Sequence, residues 1–140
     1  MLELDDPRRS VEHSLIDLGA EVFVEGRAHP MIDASRRRAR IIEESADPSV
    51  AVLLLDFVLG AIASPTPVQD LLGAIARARE AAAARGGRLC VVASVCGTEL
   101  DSQELAFQER LLADAGVVVL PSAAQAAAFA LEATRLRAWG

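Results

Sequence analysis

The chain is predicted to be an α/β domain, a parallel sheet with helices on both faces. Three observations predict it. Apolar runs of strand length recur along the sequence, each closed by a short turn and followed by a helical stretch. One of them, Val50-Ala-Val-Leu-Leu-Leu55, is apolar without alternation, as expected of a central parallel strand covered on both sides. The composition is 52% hydrophobic, mostly Ala, Val and Leu, but only 4% aromatic, which suits helices packed on a buried sheet. At 140 residues the chain can bury a real core as one domain.

The elements follow in order. Residues 1–14 read as a charged lead-in, and residues 15–140 as the folded domain. Glu21-Val-Phe-Val-Glu25 is a candidate short edge strand. His29-Pro-Met-Ile-Asp33 reads as a short strand ending at a helix cap. The helix over Ser35 to about Ala46 carries Arg38, Ile41, Ile42 and Ser45 on one stripe, and Asp47-Pro48 stops it. After the Val50–Leu55 strand, Asp56 to Pro65 forms an exit loop. Thr66-Pro67-Val68-Gln69 combines an N-cap, a first-turn proline and a capping-box partner, with Val68, Leu71, Leu72 and Ile75 on the buried face. Gly86-Gly87 ends that helix. Leu89 to Val95 is the next core strand, Asp101 with Glu104 starts the next helix, and Gly116 ends it. Val117-Val-Val-Leu120 is a further strand, and Ser122 with Gln125 caps the last helix. Trp139 either docks that helix or joins an oligomer contact.

Charge narrows the function. The net charge is −6 and every basic residue is arginine, so a general nucleic-acid binder is not expected, because phosphate neutralisation needs a positive face. Without lysine there is no Schiff base and no P-loop of the usual kind. Cys90 and Cys96 fit no zinc or redox spacing and read as free thiols of a reducing compartment. The first residues are charged and lack an apolar core of signal-peptide length, and no segment approaches the ~18 apolar residues of a membrane span. A cytoplasmic protein that binds neither membrane nor nucleic acid is the expectation.

In a parallel sheet the strand exits share one edge, where following helices offer unpaired N–H groups to a phosphate or carboxylate. That edge is expected to collect Asp33, the 56–65 loop, Ser94 to Glu99 and Pro121-Ser122. The small, polar Cys96-Gly97-Thr98 turn favours a ligand or a partner's reactive loop there; the alternative is an edge left empty. Cys96 is a candidate nucleophile, but neither His13 nor His29 is placed to serve it as a base. Cys90 reads as core. Asp33 and Asp56 are candidates for acid–base work or a metal, and equally for caps and loop anchors, so no metal site is assigned. The Arg36-Arg37-Arg38…Arg40 cluster can grip a phosphate or acidic partner, or form a solvated helix face.

His29-Pro-Met-Ile-Asp33, Val52-Leu-Leu-Leu-Asp-Phe-Val-Leu-Gly60 and Ser94-Val-Cys-Gly-Thr-Glu-Leu-Asp101 with Gln103 resemble the carboxyl-terminal domain of FdrA-like proteins, relatives of succinyl-CoA synthetase. The resemblance runs from about Leu15 to Leu131. It implies a single flavodoxin-like, three-layer ligase domain that works beside a CoA-binding Rossmann domain. More distantly, Leu59-Gly60-Ala61 and Gly97-Thr98 are similar to the turns of the synthetase β subunit that receive phosphate. The chain departs from that pattern in having one glycine at the first turn, and it has no Gly-His-Ala-Gly loop to carry phosphate on histidine.

The resemblance thus implies an acyl-CoA synthetase or an acyl/carbamoyl transferase split between chains. Gly60, Ala61, Gly97 and Thr98 would bind an acyl-phosphate or carboxylate. Cys96, Thr98, Glu99 and Asp56 are the candidates for chemistry, and CoA or acyl-phosphate would enter through a partner carrying the CoA-binding domain. The other reading is a non-catalytic interaction module, with self-association allowed under either. A bulky residue at Gly97 is expected to separate the two readings, abolishing activity in the first while folding survives.

Overall fold

The computed structural model describes residues 3–26 and 28–137, so Trp139 lies outside the described residues. Helix α2 (Ser35–Ala46) precedes strand β1 (Val52–Val58); then come α3 (Gln69–Ala84), β2 (Cys90–Cys96), α4 (Leu105–Asp114), β3 (Val118–Leu120) and α5 (Ala123–Arg137), with a single turn of helix, α1 (Glu21–Val24), ahead of them all. The three strands are parallel in the order β1-β2-β3, with Leu54 opposite Val92 and Val92 opposite Val118. This is the expected α/β, flavodoxin-like arrangement.

Side chains alternate across the sheet, and the two faces have different partners. Leu53, Leu55 and Phe57 of β1, with Val91, Ala93 and Val95 of β2, join one core with Ile41 of α2, Leu71 and Ile75 of α3, and Leu112 of α4. Right-handed crossovers between strands laid down in sequence order bring α3 and α4 to the same side. Helix α5 lies across the other side, against all three strands, where Val92 and Ala126 are fully buried. Its run of alanines permits that close approach.

Glycines close two helices as the sequence implies. Gly86 (φ 73°) and Gly116 (φ 73°) take the left-handed conformation, and the next residues, Gly87 and Val117, donate back to Ala82 and Leu112. Ser122 caps α5, its Oγ accepting the Gln125 N–H at 3.2 Å.

Four local expectations are corrected. Glu21–Glu25 is not a strand: residues 21–24 form α1, which buries Phe23 beneath Arg36 and leaves Val22 exposed. His29–Asp33 is a turn, because Pro30 has no N–H to give a ladder and the His29 carbonyl accepts both the Ile32 and Asp33 amides. Asp56 lies within β1, not in an exit loop, and accepts a hydrogen bond from Ser94 on the neighbouring strand. Finally, α4 begins at Leu105, since the Asp101 carboxylate turns back onto Thr98 and Glu104 sits at φ 57°. A smaller shift affects α3, where the Thr66 hydroxyl pairs with Asp70 at 3.0 Å, not with Gln69.

The outer edge of β1 is guarded. The Ala51 carbonyl and Leu59 N–H bond to β2, so by alternation the main-chain groups of Val52, Leu54, Asp56 and Val58 point away from it. Arg37 reaches from α2 over the Phe57 ring, 4.8 Å from its centroid, and donates to the outward Asp56 carbonyl at 2.7 Å. Burial pushes this guanidinium below its ordinary pKa, opposed by the nearby Asp56 carboxylate.

The lead-in is strapped to α2 as well. Arg40 donates to Glu44, to the Arg8 carbonyl and to the Ser10 hydroxyl, which in turn donates to Glu44.

Candidate functional site

The β1 and β2 exits lie side by side. The Leu59 amide donates to the Cys96 carbonyl at 2.8 Å, carrying the ladder one residue past β1, and Gly60 then turns the chain at φ 142°. Around that angle no side chain is crowded, since a Cβ on Gly60 would meet nothing within 4 Å. Gly97 is different. A Cβ there would lie 2.6 Å from Leu59 Cδ1 and 2.8 Å from Leu59 Cβ, so this glycine is required by the packing of the two exits against each other.

Gln103, which the sequence singled out only as part of the third resembling motif, joins the two exits. It is only 4% exposed. Its Nε2 donates to the carbonyls of Gly60 (2.9 Å) and Ser64 (3.1 Å), and its Oε1 accepts the Gly60 N–H at 3.4 Å. Ser64 in turn donates its amide to Met31 and its hydroxyl to Asp70, tying the β1 exit to the 28–33 turn and to the start of α3.

The polar candidates on the β2–α4 turn are engaged within it. Asp101 accepts both the amide (2.6 Å) and the hydroxyl (3.1 Å) of Thr98, and the Thr98 hydroxyl accepts the Leu100 amide. Glu99 accepts the Ala106 N–H at 3.0 Å, satisfying a first-turn donor of α4. The Ala61 and Ile62 amides have no hydrogen-bond partner among the described residues.

Other candidates stand apart. Asp33 accepts the Ser35 N–H at the start of α2. Asp56 projects from the α5 side of the sheet with Ser94 and Cys96, the Ser94 hydroxyl donating to it at 2.8 Å. Neither histidine meets Cys96; the His29 ring accepts the Met31 amide through Nδ1. Among the described residues no group of three His, Cys, Asp or Glu is arranged to hold a metal. Three arginines of α2 hydrogen-bond within the fold, Arg37 on the Asp56 carbonyl, Arg38 on the Asp70 carbonyl and Arg40 on the lead-in, while Arg36 lies over the Phe23 ring with its buried Nε unpartnered among the described residues.

The two thiols differ in surroundings. Cys96 ends β2 exposed, whereas Cys90 is half-buried and burial pushes its thiol up, against the lowering effect of Arg79. Only the thiolate is nucleophilic, so iodoacetamide near neutral pH is expected to modify Cys96 at least about tenfold faster than Cys90. Equal rates, read by peptide mass spectrometry, would contradict this placement.

The sequence model of the CoA-ligase family matches residues 4–133, covering both exit turns and all three strands. The chain belongs to the CoA-ligase family. The match begins inside residues 1–14, the part strapped to α2 by Arg40. The chain is also 42% identical over 129 residues to YahF of Escherichia coli K12, an uncharacterised protein. That alignment takes in 92% of this chain and 25% of YahF, so the chain spans about a quarter of its relative's length. No helix among the described residues is long and apolar enough to cross a membrane.

The charge around the second exit disfavours the diphosphate of coenzyme A. Glu99, Asp101 and Glu104 crowd the β2–α4 turn with negative charge, and the α2 arginines nearest β1 and α3 are already committed. A diphosphate would meet repulsion at that turn. The unpartnered Ala61 and Ile62 amides can donate to a small anionic group.

Proposed function

We propose that this chain is the ligase-like subunit of a FdrA-type acyl-CoA synthetase or acyl/carbamoyl transferase, acting with a partner that carries a CoA-binding Rossmann domain. The observation that carries the reading is the pairing of two strand-exit turns, Leu59-Gly60-Ala61 and Cys96-Gly97-Thr98, on one sheet edge of a CoA-ligase family member. The unpartnered N–H groups of Ala61 and Ile62, presented by the turn at Gly60, receive the acyl-phosphate or carboxylate, and Gly97 lets the second exit close on the first. Thr98 and Glu99 keep the second turn in shape. Asp56 and Cys96 are the groups left for proton transfer or nucleophilic attack, on the α5 side. CoA is held by the partner, in keeping with the acidic rim of this edge.

Purification from the native host, with mass spectrometry of bound chains and assays with acyl-CoA, carbamoyl phosphate and nucleotides, tests this. A stoichiometric CoA-binding chain, with turnover only when both are present, is the expected result. Full turnover by this chain alone would sink the split-subunit reading. One observation favours the second reading, a non-catalytic interaction module: the Thr98 hydroxyl and the Glu99 and Asp101 carboxylates are all consumed by the turn itself. A pure, partnerless chain without turnover would select it.

A further inference from the structure

We infer that Gln103 is the positioning residue of the β1 exit: it acts through Gly60 to hold the Ala61 and Ile62 amides in the orientation that receives an acyl-phosphate. The inference rests on the reading of this edge as an acyl-phosphate or carboxylate receiver.

Gly60 adopts φ 142°, a conformation side chains rarely take, and no atom beyond its chain neighbours crowds the position where a Cβ would be. Steric packing therefore does not impose the angle. Hydrogen bonding does: the Ala63 N–H closes the turn onto the Gly60 carbonyl at 3.1 Å, and one Gln103 side-chain amide grips the Gly60 unit at its N–H and at its carbonyl while a second donation fixes Ser64. The clamp is itself held. The Ser102 hydroxyl donates to Gln103 Oε1 at 3.3 Å, and the buried Gln108 side chain donates to the Gln103 carbonyl at 2.9 Å.

At 4% exposure water has no ready access to replace these bonds. The chemistry demands an amide, since the position needs two donations and one acceptance within one side chain. An ionised carboxylate would set negative charge against two carbonyl oxygens, whereas a protonated one keeps one donor and one acceptor. Methionine fills the same volume with neither.

The test is amide NMR of the full chain titrated with acetyl phosphate and, separately, with inorganic phosphate. It compares wild type with Gln103→Met and Gln103→Glu, each at neutral and mildly acidic pH. Asp70, bonded to Ser64, Asp101, bonded to Thr98, and the adjacent Glu104 are carboxylates that all three proteins share. Wild type is expected to show saturable shifts at Ala61 and Ile62, and Gln103→Met to bind about tenfold more weakly with its fold intact. Gln103→Glu should be weak at neutral pH and recover toward wild type on acidification, a response that a merely structural residue would not give.

Equal affinity in all three proteins at both pH values would overturn the role of Gln103 and leave the receiving edge standing. No saturable shift in wild type with either probe would sink the receiving edge, and this inference with it. Should Gln103→Met fail to fold, the pH response of Gln103→Glu against wild type decides the matter.

Discussion

Phe57→Ala is expected to lower the unfolding free energy by about 3–5 kcal/mol, a large part of what holds a domain of this size together. The ring is 0% exposed and sits where β1 meets α2 and α3, in the same core as Ile41, Leu71 and Ile75. Truncation forfeits the transfer of the ring from water and leaves a cavity that strands and helices cannot close. It also removes the surface on which the Arg37 guanidinium rests. Burial already disfavours that charge, and its bond to the Asp56 carbonyl would remain without the aromatic face beneath it. Urea denaturation measures the effect. The midpoint should fall with the slope unchanged, and Phe57→Leu should cost well under half as much. A Phe57→Ala loss below about 1 kcal/mol would mean that the ring is not the packing centre described here.

Gly97→Val is expected to cost about 1–3 kcal/mol, or more if the two exits part. The cause lies in the backbone as much as in the side chains. The new Cβ falls 2.8 Å from Leu59 Cβ, an atom that moves only with the strand itself, besides 2.7 Å from Leu59 Cγ. Rotamer change at Leu59 cannot relieve the first contact. The substitution therefore fails as a selective probe of activity, contrary to the expectation drawn from sequence that folding would survive it. A partial rescue by Leu59→Gly in the double mutant, which removes the Cβ as well, measured by thermal melts, checks the assignment, because neighbours in contact are non-additive. If the two changes simply add, the clash is not the source of the loss. The turn at Gly60, with open space around its Cβ position, is where a change reads on the site with less effect on the core.

The elements legible in the sequence were those with strong, redundant signals. The continuous apolar β1 and β2 runs, the glycine stops after α3 and α4, and the Ser122 cap of α5 each rest on local chemistry that no tertiary contact overrode. Segments of four or five residues were less legible. Glu21–Glu25 has the short, β-branched apolar run of a strand, but a strand needs an edge to pair with, and burying Phe23 under Arg36 needs only one helical turn. Asp101 looked like a helix cap because its spacing to Glu104 is correct, yet the closer Thr98 amide captured its carboxylate. The site was legible as an edge and as two glycine turns. What the sequence did not reveal was why the glycines are there, since Gly97 answers to Leu59, 38 residues away in the chain's other exit, and Gly60 answers to Gln103. Those are long-range pairings, and one sequence carries no record of them.

The guanidinium at the outer edge of β1 has a consequence for how this domain meets other sheets. A strand arriving there finds the Asp56 acceptor already taken, and displacing Arg37 would strand a half-desolvated positive charge between two backbones. Recruitment of extra strands from stray copies is thus discouraged by a single side chain. The charge that shields the edge is held in place by the same phenyl ring that anchors the core, so resistance to aggregation and stability of fold fail together at Phe57.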